Sequence, residues 1–382
     1  MSDRSRFTAR LLAPIERFLR VEASSGLVLL VAALVALGWA NSPWAPAHAR
    51  LADQLRWFLD DGLMTVFFLV AGLEIRRELG EGELSDRRRA MLPLCAALGG
   101  MLAPALLYLG LARGGDVRAG WGIPTATDIA FAVGALALLG RRVPPALRVF
   151  LLALAILDDV GAVVVIAVGY SRGLAPLGLA IAALGVALVL LLRRLGVRRA
   201  LGYLPAGALI WWGLWRAGVH PTLAGVLLGM LAPLPGLATT LHPWVAYGIL
   251  PLFALVNCGI DLGAFSLGEL AARRVFVGVL VGLAAGKPLG IVGASALAVR
   301  LRLGALPRDV SWRGVAVAGC VAGIGFTMGI LVAELSFEGG PRLAAAKAAV
   351  LASSLVGGVG GIVLGRLLLR PRAETAAATD VS

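Results

Sequence analysis

Residues 146–170 read Ala-Leu-Arg-Val-Phe-Leu-Leu-Ala-Leu-Ala-Ile-Leu-Asp-Asp-Val-Gly-Ala-Val-Val-Val-Ile-Ala-Val-Gly-Tyr, a long apolar run with Asp158 and Asp159 at its middle. About 20 consecutive apolar residues cross a hydrocarbon layer about 30 Å thick. A charge at mid-bilayer costs roughly 2.5 to 3.5 kcal/mol on insertion scales, so it is rarely retained without a use. The stretch therefore reads as a membrane helix with a functional centre.

Working outward, similar apolar runs recur along the chain. Of its 382 residues, 59% are hydrophobic and only 15% charged, and the mean hydropathy is +0.89. A soluble domain carries about 25% charged residues. Twelve spans are expected: 24–40, 57–76, 90–112, 121–139, 146–170, 175–192, 200–215, 219–233, 244–263, 275–298, 313–335 and 343–366. They lack a one-sided apolar stripe, as helices surrounded by lipid and by one another do. The expected fold class is an all-α polytopic membrane protein of about 12 transmembrane helices. Its expected parts are an amphipathic N-terminal segment (1–23), one transporter domain (24–366) and a polar tail (367–382). Gly26–Ala40 after an Arg-rich start resembles a signal peptide, but helix count and charge pattern work better with it retained.

The formal net charge of +13 would suggest nucleic acid as a partner for a soluble protein. Here the loops explain it. With a cytoplasmic N-terminus, 24 of the 35 Lys and Arg residues fall on the cytoplasmic side, 9 opposite and two within spans. That bias predicts both termini inside. No nucleic-acid partner, cofactor or disulfide framework is indicated; Cys95, Cys258 and Cys320 each stand alone among apolar neighbours.

Four charged residues are expected deep in the membrane: Asp128, Asp158, Asp159 and Lys287. Carboxylates suit a small hard cation, which prefers oxygen ligands. The chain has only two lysines among its 35 basic residues. Arginine stays protonated, whereas a buried lysine can lose its proton in the working range, so Lys287 reads as a proton-exchanging group. Lys347, near the start of the last span, is expected to snorkel to the surface. Asp158 and Asp159 point about 100° apart on a helix and can border one cavity. Two such carboxylates resist joint ionisation, titrate as a coupled unit, and let protons and cations compete for one site.

Two spans look able to unwind. Residues 120–130 read Gly-Trp-Gly-Ile-Pro-Thr-Ala-Thr-Asp-Ile-Ala, with Pro124 and Thr127 just before Asp128. Residues 319–329 read Gly-Cys-Val-Ala-Gly-Ile-Gly-Phe-Thr-Met-Gly. Non-helical backbone at membrane depth is tolerated only inside protein or beside a water-filled cavity. Matched interrupted spans in two halves indicate inverted repeats, with Asp128 offsetting the half-helix N-termini that face it.

At this point the chain closely resembles the NhaA-type sodium/proton antiporters, a family among the founding examples of the inverted-repeat rule. The resemblance rests on 67–79 (Phe-Phe-Leu-Val-Ala-Gly-Leu-Glu-Ile-Arg-Arg-Glu-Leu), 123–132 (Ile-Pro-Thr-Ala-Thr-Asp-Ile-Ala-Phe-Ala) and 154–162 (Leu-Ala-Ile-Leu-Asp-Asp-Val-Gly-Ala). It rests equally on 218–226 (Gly-Val-His-Pro-Thr-Leu-Ala-Gly-Val), 241–247 (Leu-His-Pro-Trp-Val-Ala-Tyr), 286–290 (Gly-Lys-Pro-Leu-Gly) and 323–328 (Gly-Ile-Gly-Phe-Thr-Met). It implies electrogenic exchange of Na⁺ or Li⁺ for H⁺ in a bacterial inner membrane, by a core bundle of about 90–170 and 275–366. Asp159 would be the principal cation ligand, and Asp158 would pair with Lys287 until the cation arrives. Asp128 and Thr127 would sit at the crossing of the broken helices, with Asp128 supporting coordination. Glu74, Glu78 and His220 match positions linked to a cytoplasmic funnel, pH response or coupling; His242 joins them as a candidate. Two departures stand out. Leu231–Leu241 is short and uncharged where better-known members carry a charged loop, and Asn41–Arg56 lacks their strand-like hairpin. A homodimer by that hairpin is not expected, although dimerisation by another route is compatible.

Two other readings compete. A related fold could carry out sodium-coupled symport of an organic anion. An intramembrane aspartyl hydrolase would need two activating Asp residues from different helices, but its Gly-x-Gly-Asp context is absent and Lys287 would hold a carboxylate ionised.

Overall fold

The computed structural model describes residues 24–82, 86–171, 173–263, 267–307 and 309–370. The amphipathic segment expected over 7–20 and the tail after Arg372 lie outside the described residues.

Among the described residues every regular element is a helix. Helix α1 (Ser24–Ala40) leads to α2 (Ala45–Trp57), so the short Asn41–Arg56 link is largely helical. A π-helical turn, Phe58–Leu63, joins α2 to α3 (Met64–Glu81), and α4 (Arg87–Leu111) follows. A 3-10 helix, Asp116–Thr125, precedes α5 (Ile129–Ala137) and α6 (Pro145–Gly169). Next come α7 (Pro176–Arg194), α8 (Ala200–Ala217), α9 (Leu223–Leu231) and α10 (Leu237–Trp244). A π turn, Val245–Ile249, continues into α11 (Leu250–Asn257). Helix α12 (Leu270–Val281) passes through the π turn Gly282–Gly286 into α13 (Lys287–Arg300). The chain ends in α14 (Trp312–Ala322), α15 (Phe326–Ser336) and α16 (Gly340–Leu368).

Helix occupies each of the twelve stretches read as spans, but among the described residues only six runs are individually long and apolar enough to cross a membrane. The count rises to seven when α14 and α15, bent by 47°, are taken as one. For one of the missing spans the cause is the type of helix. The 3-10 helix rises about 2.0 Å per residue and an α-helix about 1.5 Å. Asp116–Thr125 plus α5 therefore covers roughly 34 Å with few residues, and neither half looks like a span alone. Many large apolar side chains point outwards, including Leu106, Val168, Leu201, Leu355 and Leu367. In lipid that outer surface is solvated by acyl chains.

Polar groups are satisfied inside the bundle, while small residues set how closely helices approach. At the α3–α9 contact, a Cβ added to Gly225 would lie 2.1 Å from the Thr65 carbonyl oxygen, and one on Gly72 would lie 2.6 Å from that of Val226. The α4–α13 contact is equally close, with the position of a Gly290 Cβ 2.1 Å from the Gly99 oxygen. One group of packed elements contains α4, α6, the 3-10 helix and α12 to α16; another joins α3 to α9 and α7 to α8.

Gly225→Ala forces α3 and α9 apart. Overpacking of this kind costs about 1–3 kcal/mol. The thermal midpoint in detergent, followed by size-exclusion recovery after heating, is expected to fall. Gly293→Ala, inside α13 with nothing within 4 Å of the new methyl group, does not lower it. Equal midpoints for the two variants would show that the α3–α9 spacing is not set by Gly225.

Candidate functional site

The two broken segments cross. The amide of Asp128 donates to the Ile324 carbonyl at 2.7 Å, which ties the break before α5 to the break between α14 and α15. Each half-helix begins here with unsatisfied N–H groups and a partial positive charge. Asp128 answers both. Its Oδ1 accepts from the Phe131 amide at 3.2 Å and caps α5. Its Oδ2 accepts from the Thr327 amide at 3.0 Å and the Thr327 hydroxyl at 2.5 Å, at the start of α15.

Asp158 and Lys287 form a buried ion pair. Nζ lies 2.9 Å from Asp158 Oδ2, and both side chains are fully enclosed. Lys287 also donates to the Thr125 carbonyl at 2.5 Å, at the end of the 3-10 helix. The Thr127 hydroxyl donates to the same Asp158 oxygen at 2.6 Å and lies 3.0 Å from the Ala322 carbonyl. The other oxygen, Oδ1, is buried without a partner among the described residues. Lys287 opens α13 just after a π turn. π turns recur at functional sites because the added residue redirects side chains.

Asp159 follows Asp158 on α6 and points about 100° away. It lines a cleft together with Val70, Glu74, Thr127, Asp128, His242 and Thr327. The cleft holds about 580 Å³, counting space open to solvent. Asp159 makes no hydrogen bond or ion pair among the described residues, yet Asp158, Glu74, Asp128 and Lys287 are within electrostatic reach. Farther along α3, Glu74 Oε1 is 3.3 Å from His242 Nδ1. The arrangement places one uncommitted carboxylate at the inner end of an accessible cleft, beside a committed pair that can release a proton. No trio of His, Cys, Asp or Glu side chains among the described residues is arranged to hold a resident metal.

Asp128, Asp158, Asp159, Thr127, Lys287, Glu74 and His242 thus gather at the crossing and its cleft. Glu78 stands one turn beyond Glu74 near the end of α3 and does not line the cleft. His220 is elsewhere: Nε2 is 3.6 Å from Asp61 Oδ1, and Nδ1 is 2.7 Å from the Thr222 hydroxyl. Asp61 precedes Glu74 by thirteen residues, about 20 Å along a helix. Lys347 corrects the expectation of a snorkelling side chain. It is buried and paired with Glu334, because α15 packs against α16 and supplies a carboxylate beside it. Thr327 was missed, although it occupies the place in the second broken segment that Thr127 and Asp128 occupy in the first.

The sequence matches a family model described as "Na+/H+ antiporter 1" over residues 16–364. It is 51% identical to the "Na(+)/H(+) antiporter NhaA 2" of Sorangium cellulosum, covering 94% of this chain and 90% of that protein. It is also 51% identical to the "Na(+)/H(+) antiporter NhaA" of an Acidovorax species, covering 96% and 95%. The fold is similar to that of the sodium proton antiporter MjNhaP1 from Methanocaldococcus jannaschii, with a TM-score of 0.53, 14% identity, and coverage of 92% of this chain and 99% of that one.

Asp158→Asn leaves Lys287 as an uncompensated buried charge, and Lys287→Met does the same to Asp158. Each is expected to destabilise the protein by about 3–5 kcal/mol, with the double variant recovering much of the loss. A thermal-unfolding double-mutant cycle reads this directly. Additive losses would mean the two groups do not act as a pair.

Proposed function

The chain belongs to the Na⁺/H⁺ antiporter 1 family, and from that membership we propose that it exchanges Na⁺ or Li⁺ for H⁺ across a bacterial inner membrane, with Asp159 as the carboxylate for which the ions compete. The observation that carries the assignment is the contrast among three carboxylates at the crossing. Asp128 is engaged by two helix ends, and Asp158 by Lys287 and Thr127. Asp159 borders the cleft with no such partner.

In the proton-loaded form Asp159 is protonated, and the Lys287 ammonium holds Asp158. An arriving cation displaces the proton from Asp159. Its charge also weakens the hold of Lys287 on Asp158, so Lys287 gives up a proton and Asp158 is released toward the ion. Two protons then leave for one cation, and one net charge crosses per cycle. That charge gains about 2.3 kcal/mol per 100 mV. Asp128 balances the half-helix ends throughout and can add an oxygen to the ion. Glu74 and His242 set the charge of the cleft, and Glu78 lies near the end of the same helix.

The core bundle, about 90–170 and 275–366, would move against the remaining helices to expose the site alternately. The Lys and Arg bias supports both termini on the cytoplasmic side, with the Glu74 end of α3 facing the cytoplasm.

Inverted vesicles from an antiporter-deficient host, energised to an acid interior, test the reading. NaCl or LiCl, added between about pH 6.5 and 8.5, is expected to dissipate the gradient. Asp159→Asn is expected to abolish the response at equal protein level. Substantial exchange by that variant removes Asp159 as the ligand. Sodium uptake that requires an organic anion instead would replace exchange with symport.

A further inference from the structure

Among the described residues, α15 contributes one polar side chain to the cleft, Thr327; Met328 beside it offers no hard oxygen. The first amides of α15 need acceptors from elsewhere, because Gly325 ahead of the helix has no side chain to cap them. Asp128 fills that role from across the crossing, accepting from the Thr327 amide at 3.0 Å. The Thr327 hydroxyl donates to the same Asp128 oxygen at 2.5 Å. Both donors of Thr327 are thus committed to one carboxylate, and two bonds hold the residue at the inner end of the cleft.

A hydroxyl has one proton to give and two lone pairs to receive with. Once its proton is fixed on Asp128, the Thr327 oxygen retains its acceptor capacity, and no group among the described residues donates to it. Donation to an anion also polarises a hydroxyl and makes its oxygen a stronger acceptor. Thr327 is only 3% exposed, so bulk water meets that oxygen poorly and a positive ion in the cleft is its fitting partner. Thr127 repeats the arrangement in the first broken segment, with its proton given to Asp158 at 2.6 Å. Both threonines border the cleft together with Asp128 and Asp159. Unlike the carboxylates, the two hydroxyls are neutral and hold no proton that a cation must displace.

We propose that the Thr327 hydroxyl oxygen is a ligand of the transported ion and sets how far the site separates Na⁺ from Li⁺. The inference rests on the reading of Asp159 as the carboxylate that binds the ion. Asp159 comes from α6, and Thr127 and Asp128 come from the first broken segment. Thr327 adds an oxygen from the second, so the ion touches both half-helices that meet at the crossing. Hard cations take oxygen ligands, and selection among them depends on cavity size and on the number and rigidity of those ligands. Li⁺ is the smaller ion and fewer oxygens saturate it. A further neutral oxygen on a side chain held by two bonds therefore matters more to Na⁺, whose larger shell it helps to complete. Loss of the hydroxyl leaves the Thr327 amide on Asp128, so the two broken segments stay joined without it.

Calorimetric titration of the purified full-length protein in detergent tests this apart from transport, with NaCl or LiCl at alkaline pH and choline chloride holding the ionic strength. Thr327→Val keeps the shape and removes the oxygen. It is expected to raise the Na⁺ dissociation constant about tenfold, the lower end of what supporting groups at metal sites contribute, and the Li⁺ constant by clearly less. Thr327→Ser keeps the oxygen and is expected to preserve the wild-type ratio of the two constants. If the valine variant does not fold, Thr327→Ala compared with Thr327→Ser isolates the same oxygen. Equal weakening of both ions would mean that Thr327 acts only by steadying Asp128, and would overturn the proposal. A serine variant as weak as the valine one would assign the effect to methyl packing and overturn it too, as would wild-type binding of both ions by Thr327→Val. Asp159→Asn separates this inference from its premise. If that variant binds as wild type does, the assignment of Asp159 fails, and Thr327 stands or falls by its own Na⁺-to-Li⁺ ratio.

Discussion

One carboxylate holds two helix ends that would otherwise repel. The half-helices α5 and α15 point their N-termini at each other, each with a partial positive charge of about half an electron and unsatisfied amides. Asp128 accepts from both, with one oxygen toward Phe131 and the other toward Thr327. Without that shared anion, two breaks at the same depth would expose backbone polarity to an apolar interior. With it, the crossing becomes a polar island enclosed by helices. The Thr125 carbonyl, at the end of the 3-10 helix, accepts from Lys287, and the Ala322 carbonyl, at the end of α14, lies 3.0 Å from the Thr127 hydroxyl, whose proton goes to Asp158. The remaining charges are built outward from that joint.

Three aspartates near one another therefore carry different duties without differing in chemistry. What separates them is the supply of donors. Asp128 takes its donors from helix ends, Asp158 takes one each from a lysine and a threonine, and Asp159 faces the cleft. Adjacent positions on α6 diverge by about 100°, so one residue is turned into the packed interior and the next toward the opening. Lys287 reaches Asp158 because a π turn sets the register at the start of α13. Hydrogen-bond supply and helix phase thus distribute the roles among identical side chains.

The sequence made the centre of the site legible and the buried pairing of Lys347 with Glu334 not. Asp128, Asp158, Asp159 and Lys287 stand far from the ends of long apolar runs, where no surface explanation competes. The Gly-rich and Pro-containing breaks were readable for the same reason. Glu334 and Lys347 lie near the ends of their spans, where a polar residue ordinarily meets the headgroups. Their burial depends on helices contributed from distant parts of the chain, and no local pattern records it. For Lys347, proximity to a span end outweighed the rarity of lysine, although that rarity had already marked Lys287. The individual helices were less legible than the class. A 3-10 segment crosses more membrane per residue than an α-helix, so the span read over 121–139 misses the start of the 3-10 helix at Asp116.

The confinement of lysine to two enclosed positions gives this protein an unusual chemical surface. Arginine supplies all of its other permanently charged basic side chains, so reagents that acylate primary amines find no lysine to modify on the folded exterior. Any side-chain acylation then reports that an interior ammonium has become both neutral and reachable. The two lysines lie in separate stretches of sequence between arginines, so peptide mapping distinguishes them. The native chain thereby carries two internal reporters of conformational opening, with no foreign label needed.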